Sequence, residues 1–220
     1  MQRLDLLADA SFRATVRAET EGRPSGERWR DVVVEEASDD VVGRTLGELA
    51  SARGGHPIDA MFDVAAADAL AARFSMLLLN YDEDRLGDLL RRPDALIALS
   101  DAGAHVSVLC DAGYATYFLG HWVRERGLLP LEEAVRRLTS MPADIYGVAA
   151  RGRLVPGAAA DVTCFDAARV GSRQPERVAD FPAGAPRWIV RSEGIAHVLV
   201  GGVPFLESGE CTGNLPGRLV

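Results

Sequence analysis

Leu4, Leu7, Ala8 and Phe12 fall near helical spacing with charged residues between them, so a helix is expected over residues 3–19. Asp31-Val32-Val33-Val34-Glu35 is short and β-branched and predicts a strand. Leu46, Leu49 and Ala50 mark a helix that Gly54-Gly55 should close, and Pro57 opens another with Ile58, Met61, Phe62 and Ala65 on one face. Residues 74–79 read as a further strand, and Leu86, Leu89 and Leu90 place a helix over residues 82–91. The run Ala95-Leu96-Ile97-Ala98-Leu99 is continuously apolar, the pattern of a strand covered on both faces. Two helices follow. Tyr114, Phe118 and Trp122 repeat at i, i+4, as do Ala115, Leu119 and Val123, up to Gly127. The second starts at Pro130, carries Glu132 and Glu133 in its first turn and Arg136 and Arg137 near its end, and should stop at Met141-Pro142.

After about residue 150 the texture changes. Residues 153–155, 161–165, 188–190 and 196–200 are short β-type runs, separated by Pro156-Gly157, Pro182-Ala183-Gly184 and Gly201-Gly202. The expectation is an α/β portion over residues 1–150 followed by a β portion over residues 151–220.

Composition narrows the function classes. The chain of 220 residues is 48% hydrophobic and 25% charged, as globular proteins are. Its net charge of −8 argues against a nucleic-acid partner, which selects for a basic patch. No apolar run nears the roughly 20 residues that span a bilayer, so no membrane partner is expected. The first residues alternate charge with leucine and lack the apolar stretch of a signal peptide. Cys110, Cys164 and Cys211 are odd in number and unpaired in spacing, which points to a reducing compartment, the cytoplasm.

The chemistry concentrates in Ser100-Asp101-Ala102-Gly103-Ala104-His105, directly after the apolar run 95–99. A strand that ends in Ser-Asp and small residues delivers a carboxylate into a tight turn, and α/β folds place their chemistry at the C-terminal ends of parallel strands. Asp101 is the candidate catalytic residue; the alternative is that it caps a following helix. Ser100, Gly103 and His105 are candidate substrate-binding residues, and Ser38, after the 32–34 strand, is another; the alternatives are a hydrogen-bonded loop histidine for His105 and a loop serine bonding backbone for Ser38. Asp101 and His105 are the two side chains near one another that suit a metal, with Asp101 taken as the ligand. His121 reads as structural, His56 as a cap or loop residue, His197 as part of a β run, and Cys110 as a buried thiol. Asp111 and Asp161 read as turn or strand-start residues, and Phe118 and Trp122 as core.

These residues, with Trp122-Val123-Arg124-Glu125, Glu132 to Thr139, Met141-Pro142-Ala143, Arg151 to Val162 and the closing Gly213 to Val220, resemble the amidohydrolase superfamily, most closely its D-aminoacylase, or N-acyl-D-amino-acid deacylase, branch. Gly43 to Ala50 is similar to the segment after that family's seventh barrel strand. The resemblance implies the C-terminal portion of a (β/α)8 barrel and part of a small β-sandwich, beginning just after the sixth barrel strand. It implies a zinc or other divalent metal in the full-length enzyme, and it makes Asp101 the base that takes a proton from metal-activated water and passes it to the leaving nitrogen of a small-molecule amide. Departures are plain. The four histidines, His56, His105, His121 and His197, include no His-X-His pair, lysine is absent, and residues 102–123 contain no arginine. The expectation is therefore a fragment that holds little metal alone and works as a homo-oligomer or with a complementing N-terminal half. Alternatives are a cyclic-amide hydrolase of hydantoinase or dihydroorotase type, and a non-catalytic assembly partner.

Overall fold

A computed structural model describes residues 2–21, 23, 26–38, 40–77, 79–98 and 100–219. It is a mixed α/β chain that divides into two compact units, Met1–Tyr81 and Asp82–Val220. No helix among the described residues is long and apolar enough to cross a membrane.

In the first unit, α1 (Gln2–Ala8) and α2 (Ala10–Glu21) replace the single helix expected over 3–19. The break lies at Asp9, whose Oδ1 accepts the Phe12 N–H at 2.7 Å and so starts a new helix. Strand β1 (Val33–Glu36) carries Val34, fully buried, beside Val32 at 3% exposure. Helix α3 (Leu46–Arg53) begins with a capping box in which Thr45 and Glu48 satisfy each other's backbone, and Gly54 closes it as expected. Helix α4 (Pro57–Ala67) starts at His56, whose Nδ1 accepts the Ile58 N–H at 3.2 Å. Leu46, Leu49, Ala50, Ala60 and Val64 complete the core of this unit around β1.

Strand β2 covers Arg73–Ser75 and pairs antiparallel with β1, Val33 opposite Ser75. The strand expected over 74–79 therefore ends early: Leu77 and Leu79 are exposed, and Leu78 lies outside the described residues.

The second unit opens with α5 (Glu83–Arg91), capped by Asp82. The strand expected over 95–99 does not form: residues 95–98 run outside any ladder, and Leu99 lies outside the described residues. A parallel strand is held by ladders on its edges, and no parallel pair occurs among the described residues. Ile97 still packs on the second core.

Helix α6 (Tyr114–Tyr117) passes into a π-helix, Phe118–Glu125, which buries Phe118, Leu119, Trp122 and Val123. Helix α7 (Leu131–Leu138) ends at a kink at Thr139, and α8 (Ser140–Tyr146) follows. Met141-Pro142 thus begins a helix instead of stopping one, because a proline in the first turn removes only an N–H that has no intrahelical partner.

The remaining chain is strands. The main sheet has the order β10-β9-β8-β3, all antiparallel, from β3 (Val162–Phe165), β8 (Ile195–Val200), β9 (Val203–Glu207) and β10 (Glu210–Cys211). The β8–β9 turn is Gly201-Gly202, with φ of +57° and +81°, the left-handed pair that matches the twist of a two-residue hairpin. Phe165 and Ile195 pack on the second core with Val170. Two small pairs complete the unit: β4 (Gly171–Ser172) with β7 (Ser192–Glu193), and β5 (Glu176–Val178) with β6 (Arg187–Ile189). Residues 153–155, expected as a strand, are irregular, with Leu154 79% exposed. The expected change of texture at residue 150 falls inside this unit, between α8 and β3.

Candidate functional site

The approach to Asp101 starts at the end of α5. The buried Arg137 guanidinium donates to the carbonyls of Leu90, Arg91 and Arg92 at 2.5, 3.1 and 3.0 Å, which fixes where α5 stops. Residues 95–98 lead from there to Ser100. Two tight turns follow in tandem. Ala104 N–H donates to Asp101 C=O at 2.8 Å, and the N–H groups of Val108 and Leu109 donate to His105 C=O at 2.7 and 3.0 Å. Ser100 Oγ accepts the Ala102 N–H at 3.2 Å.

Asp101, Gly103 and His105 are all left-handed, with φ of +51°, +91° and +53°. For Asp101 and His105 that conformation costs roughly 1–2 kcal/mol each. Asp101 caps no helix; the chain after it is turns until α6. Asp101, Gly103 and His105 are exposed and Ser100 is half-buried, so the turn presents a carboxylate and an imidazole to solvent.

The β5–β6 hairpin meets this turn. Trp188 N–H donates to Val106 C=O at 2.7 Å, so Val106 bonds the strand β6 as a ladder residue would. Next to it, Arg187 grips Asp180 through Nε–Oδ1 at 2.7 Å and Nη2–Oδ2 at 2.8 Å, with the Phe181 ring 5.3 Å from the guanidinium carbon. Asp180 raises the Arg187 pKa, with a smaller contribution from Cys110, and Arg187 holds the Asp180 carboxyl below its ordinary value. The sequence reading missed this hairpin. Its signal was Pro182-Ala183-Gly184 flanked by Val178 and Trp188, read only as a break between runs.

The other candidates sit elsewhere. Ser38, in the first unit, gives both its hydroxyl and its N–H to Asp68 Oδ1. His121 is held between Glu83 at 3.1 Å and Glu125 at 3.3 Å. His197 lies in β8, opposite Cys164 and Glu207, and is exposed. Cys110 is half-buried and its thiol is free. Asp161 pairs with Arg151 and accepts the Gly201 N–H at 2.8 Å. That ion pair is shared by two shallow clefts of about 350 and 400 Å³, neither bordered by the Asp101 turn. Among the described residues no three His, Cys, Asp or Glu side chains come together in a group that could hold a metal ion. Asp101 and His105 are the donors of one turn, short of the about three protein ligands of a catalytic zinc site.

Residues 4–205 match the model of the Amidohydrolase family. The chain belongs to the amidohydrolase family. Over 182 residues, 81% of the chain, it is 34% identical to the N-acyl-D-glutamate deacylase of Alcaligenes xylosoxydans xylosoxydans. Among solved structures it is similar to a D-aminoacylase mutant in complex with CuCl2, at 28% identity and a TM-score of 0.50, covering 86% of this chain. It is also similar to the N-acyl-D-glutamate deacylase of Bordetella bronchiseptica complexed with zinc and a phosphonate inhibitor, at 30% identity and a TM-score of 0.46, over 82% of this chain. The chain spans about a third of each relative: 33%, 37% and 35% of their lengths. The donors described in this chain do not by themselves fit a metal site.

Proposed function

We propose that this chain supplies the Asp101 turn of an amide hydrolase acting on a linear, non-peptide C–N bond of a small molecule, as the N-acyl-D-amino-acid deacylases do. On this reading residues 1–150 are the C-terminal part of a (β/α)8 barrel and residues 151–220 part of a small β-sandwich. The observation that carries it is the family match over residues 4–205, within which the exposed, left-handed Asp101 lies. Asp101 takes the proton of the attacking water and returns it to the leaving nitrogen, so that an amine and a carboxylate depart. Ser100, Gly103 and His105 line the approach to the carbonyl. The zinc of the complete enzyme is held chiefly by residues outside this chain, so activity requires the chain together with a polypeptide carrying the rest of the fold, joined to it or separate. The three free thiols suit a cytoplasmic location.

The test is to assemble the chain with the preceding two thirds of a deacylase fold and measure amine release from N-acyl-D-amino acids. Asp101→Asn should lower kcat by at least about 10²-fold, the usual contribution of a general base. An Asp101→Asn enzyme with unchanged kcat would overturn the assignment. Faster turnover of a hydantoin than of a linear amide would move it to the cyclic-amide class.

A further inference from the structure

We propose that the β5–β6 hairpin is the positioning element of the Asp101 turn, acting through the Trp188 backbone N–H. The inference rests on reading Asp101 as the base. Two non-glycine residues within five positions, Asp101 and His105, hold left-handed conformations. Such strain persists only where surrounding structure over-determines it. The bonds inside the two turns do not suffice, because they close each turn on itself and anchor neither. The anchor is Trp188 N–H to Val106 C=O, at 2.7 Å, one residue past His105.

The hairpin that offers this donor is itself stiff. Glu176, Arg177 and Val178 pair with Ile189, Trp188 and Arg187, and the two-point Arg187–Asp180 ion pair closes its tip. The exit of the turn is held by the same region. Gly113 packs so closely on Ser172 and Val190 that a Cβ there would lie 2.5 Å from Ser172 Oγ and 2.8 Å from Val190 Cγ1. Ser172 Oγ donates to Gly113 C=O at 2.8 Å and lies 2.7 Å from Thr116 Oγ1. Residues 106 and 113, which bracket Cys110, are thus both fixed by the β-rich end of the chain. A change in that end would redirect Asp101 without touching substrate.

Residue-resolved amide exchange on the 220-residue chain tests this without any turnover, so its outcome is separable from that of the activity assay. Trp188→Pro removes the donor, and Trp188→Ala keeps it while deleting the indole. In Trp188→Pro, the amides of Ala104, Val108 and Leu109 should exchange roughly fivefold faster, the factor that one hydrogen bond of ordinary net strength supplies. The α7 amides should be unchanged, which separates a local effect from general loosening. Trp188→Ala should leave the three turn amides as in the wild type. Unchanged exchange in a folded Trp188→Pro protein would overturn the proposal, as would Trp188→Ala loosening the turn equally. Should Trp188→Pro fail to fold, the Trp188 amide of the wild type still decides: protection supports the bond, and exchange at the unprotected rate overturns it.

Discussion

Arg137 is 3% exposed, the one charged side chain buried among the described residues, and its guanidinium is hydrogen-bonded on several sides. Besides the three carbonyls at the end of α5 it donates to Glu133 Oε1 at 2.8 Å. A planar guanidinium can serve four acceptors at once; an ammonium cannot. Arg137→Ala should therefore lower the free energy of unfolding by about 2–4 kcal/mol, leaving the helix-end carbonyls of α5 without their donor. Arg137→Lys should fall between that variant and the wild type. Urea unfolding measures both, and a loss under about 1 kcal/mol for Arg137→Ala would show that water replaces the guanidinium. At this scale the sequence was uneven. The turn at Asp101 was legible because an apolar run led into Ser-Asp and small residues. Its left-handed backbone was not, since only Gly103 signals that region in sequence. Nor was the capture of Ser38 by Asp68, a contact thirty residues away that no local pattern encodes.

Helices α3, α4 and α5 were read well because their signals are local: caps, glycine stops and apolar spacing. Strands depend on a neighbour. Residues 162–165, 187–189 and 195–200 found one and form strands, close to the runs expected; residues 95–98 and 76–77 have the same apolar character and no ladder. Two expectations belong to this scale. In α7, Glu133 is bonded first by Arg136 and then by Arg137, and its carboxyl is pulled from 4.5 to about 2. A carboxyl with a depressed folded-state pKa stabilises the fold above its unfolded value and loses that contribution as pH falls through the folded one. Unfolding midpoints should therefore fall between about pH 4.5 and pH 2, and Glu133→Gln should flatten this part of the profile. An identical slope in the variant would remove Glu133 as its source. The second concerns Gly194, at φ +73°, between β7 and β8. A Cβ there would lie 2.5 Å from Val170 N and 2.7 Å from Arg169 C, both backbone atoms that cannot swing aside. Gly194→Ala should cost several times the roughly 1 kcal/mol of an ordinary glycine replacement at positive φ. Ala at Gly209, also at positive φ but with open space around it, is the control.

At the scale of the whole molecule, the chain buries its apolar residues incompletely. In the first unit Leu77 and Leu79 are 71% and 79% exposed. In the second, Ile145, Tyr146, Leu154 and Val155 are 58%, 69%, 79% and 54% exposed, all within residues 145–155. On the proposed function these side chains would meet the rest of a deacylase fold. Exposed apolar groups of this size, left in water, drive association, opposed here by a net charge of −8 that repels like copies. The apolar term is expected to win at physiological salt, since screening there reduces the repulsion to within about 8 Å while the apolar term is unaffected. Sedimentation of the isolated chain should show a weight-average mass that rises with concentration, more steeply at higher salt. Tyr146→Asp with Leu154→Asp should return the monomer while leaving the helical content unchanged, because neither side chain is part of either core. Addition of the complementary two thirds of a deacylase fold should compete with self-association and protect the same stretch from a hydrophobic dye. A wild-type chain that stays monomeric at every concentration and binds no dye would show that these side chains need no partner, and would remove the physical ground for a complementing polypeptide.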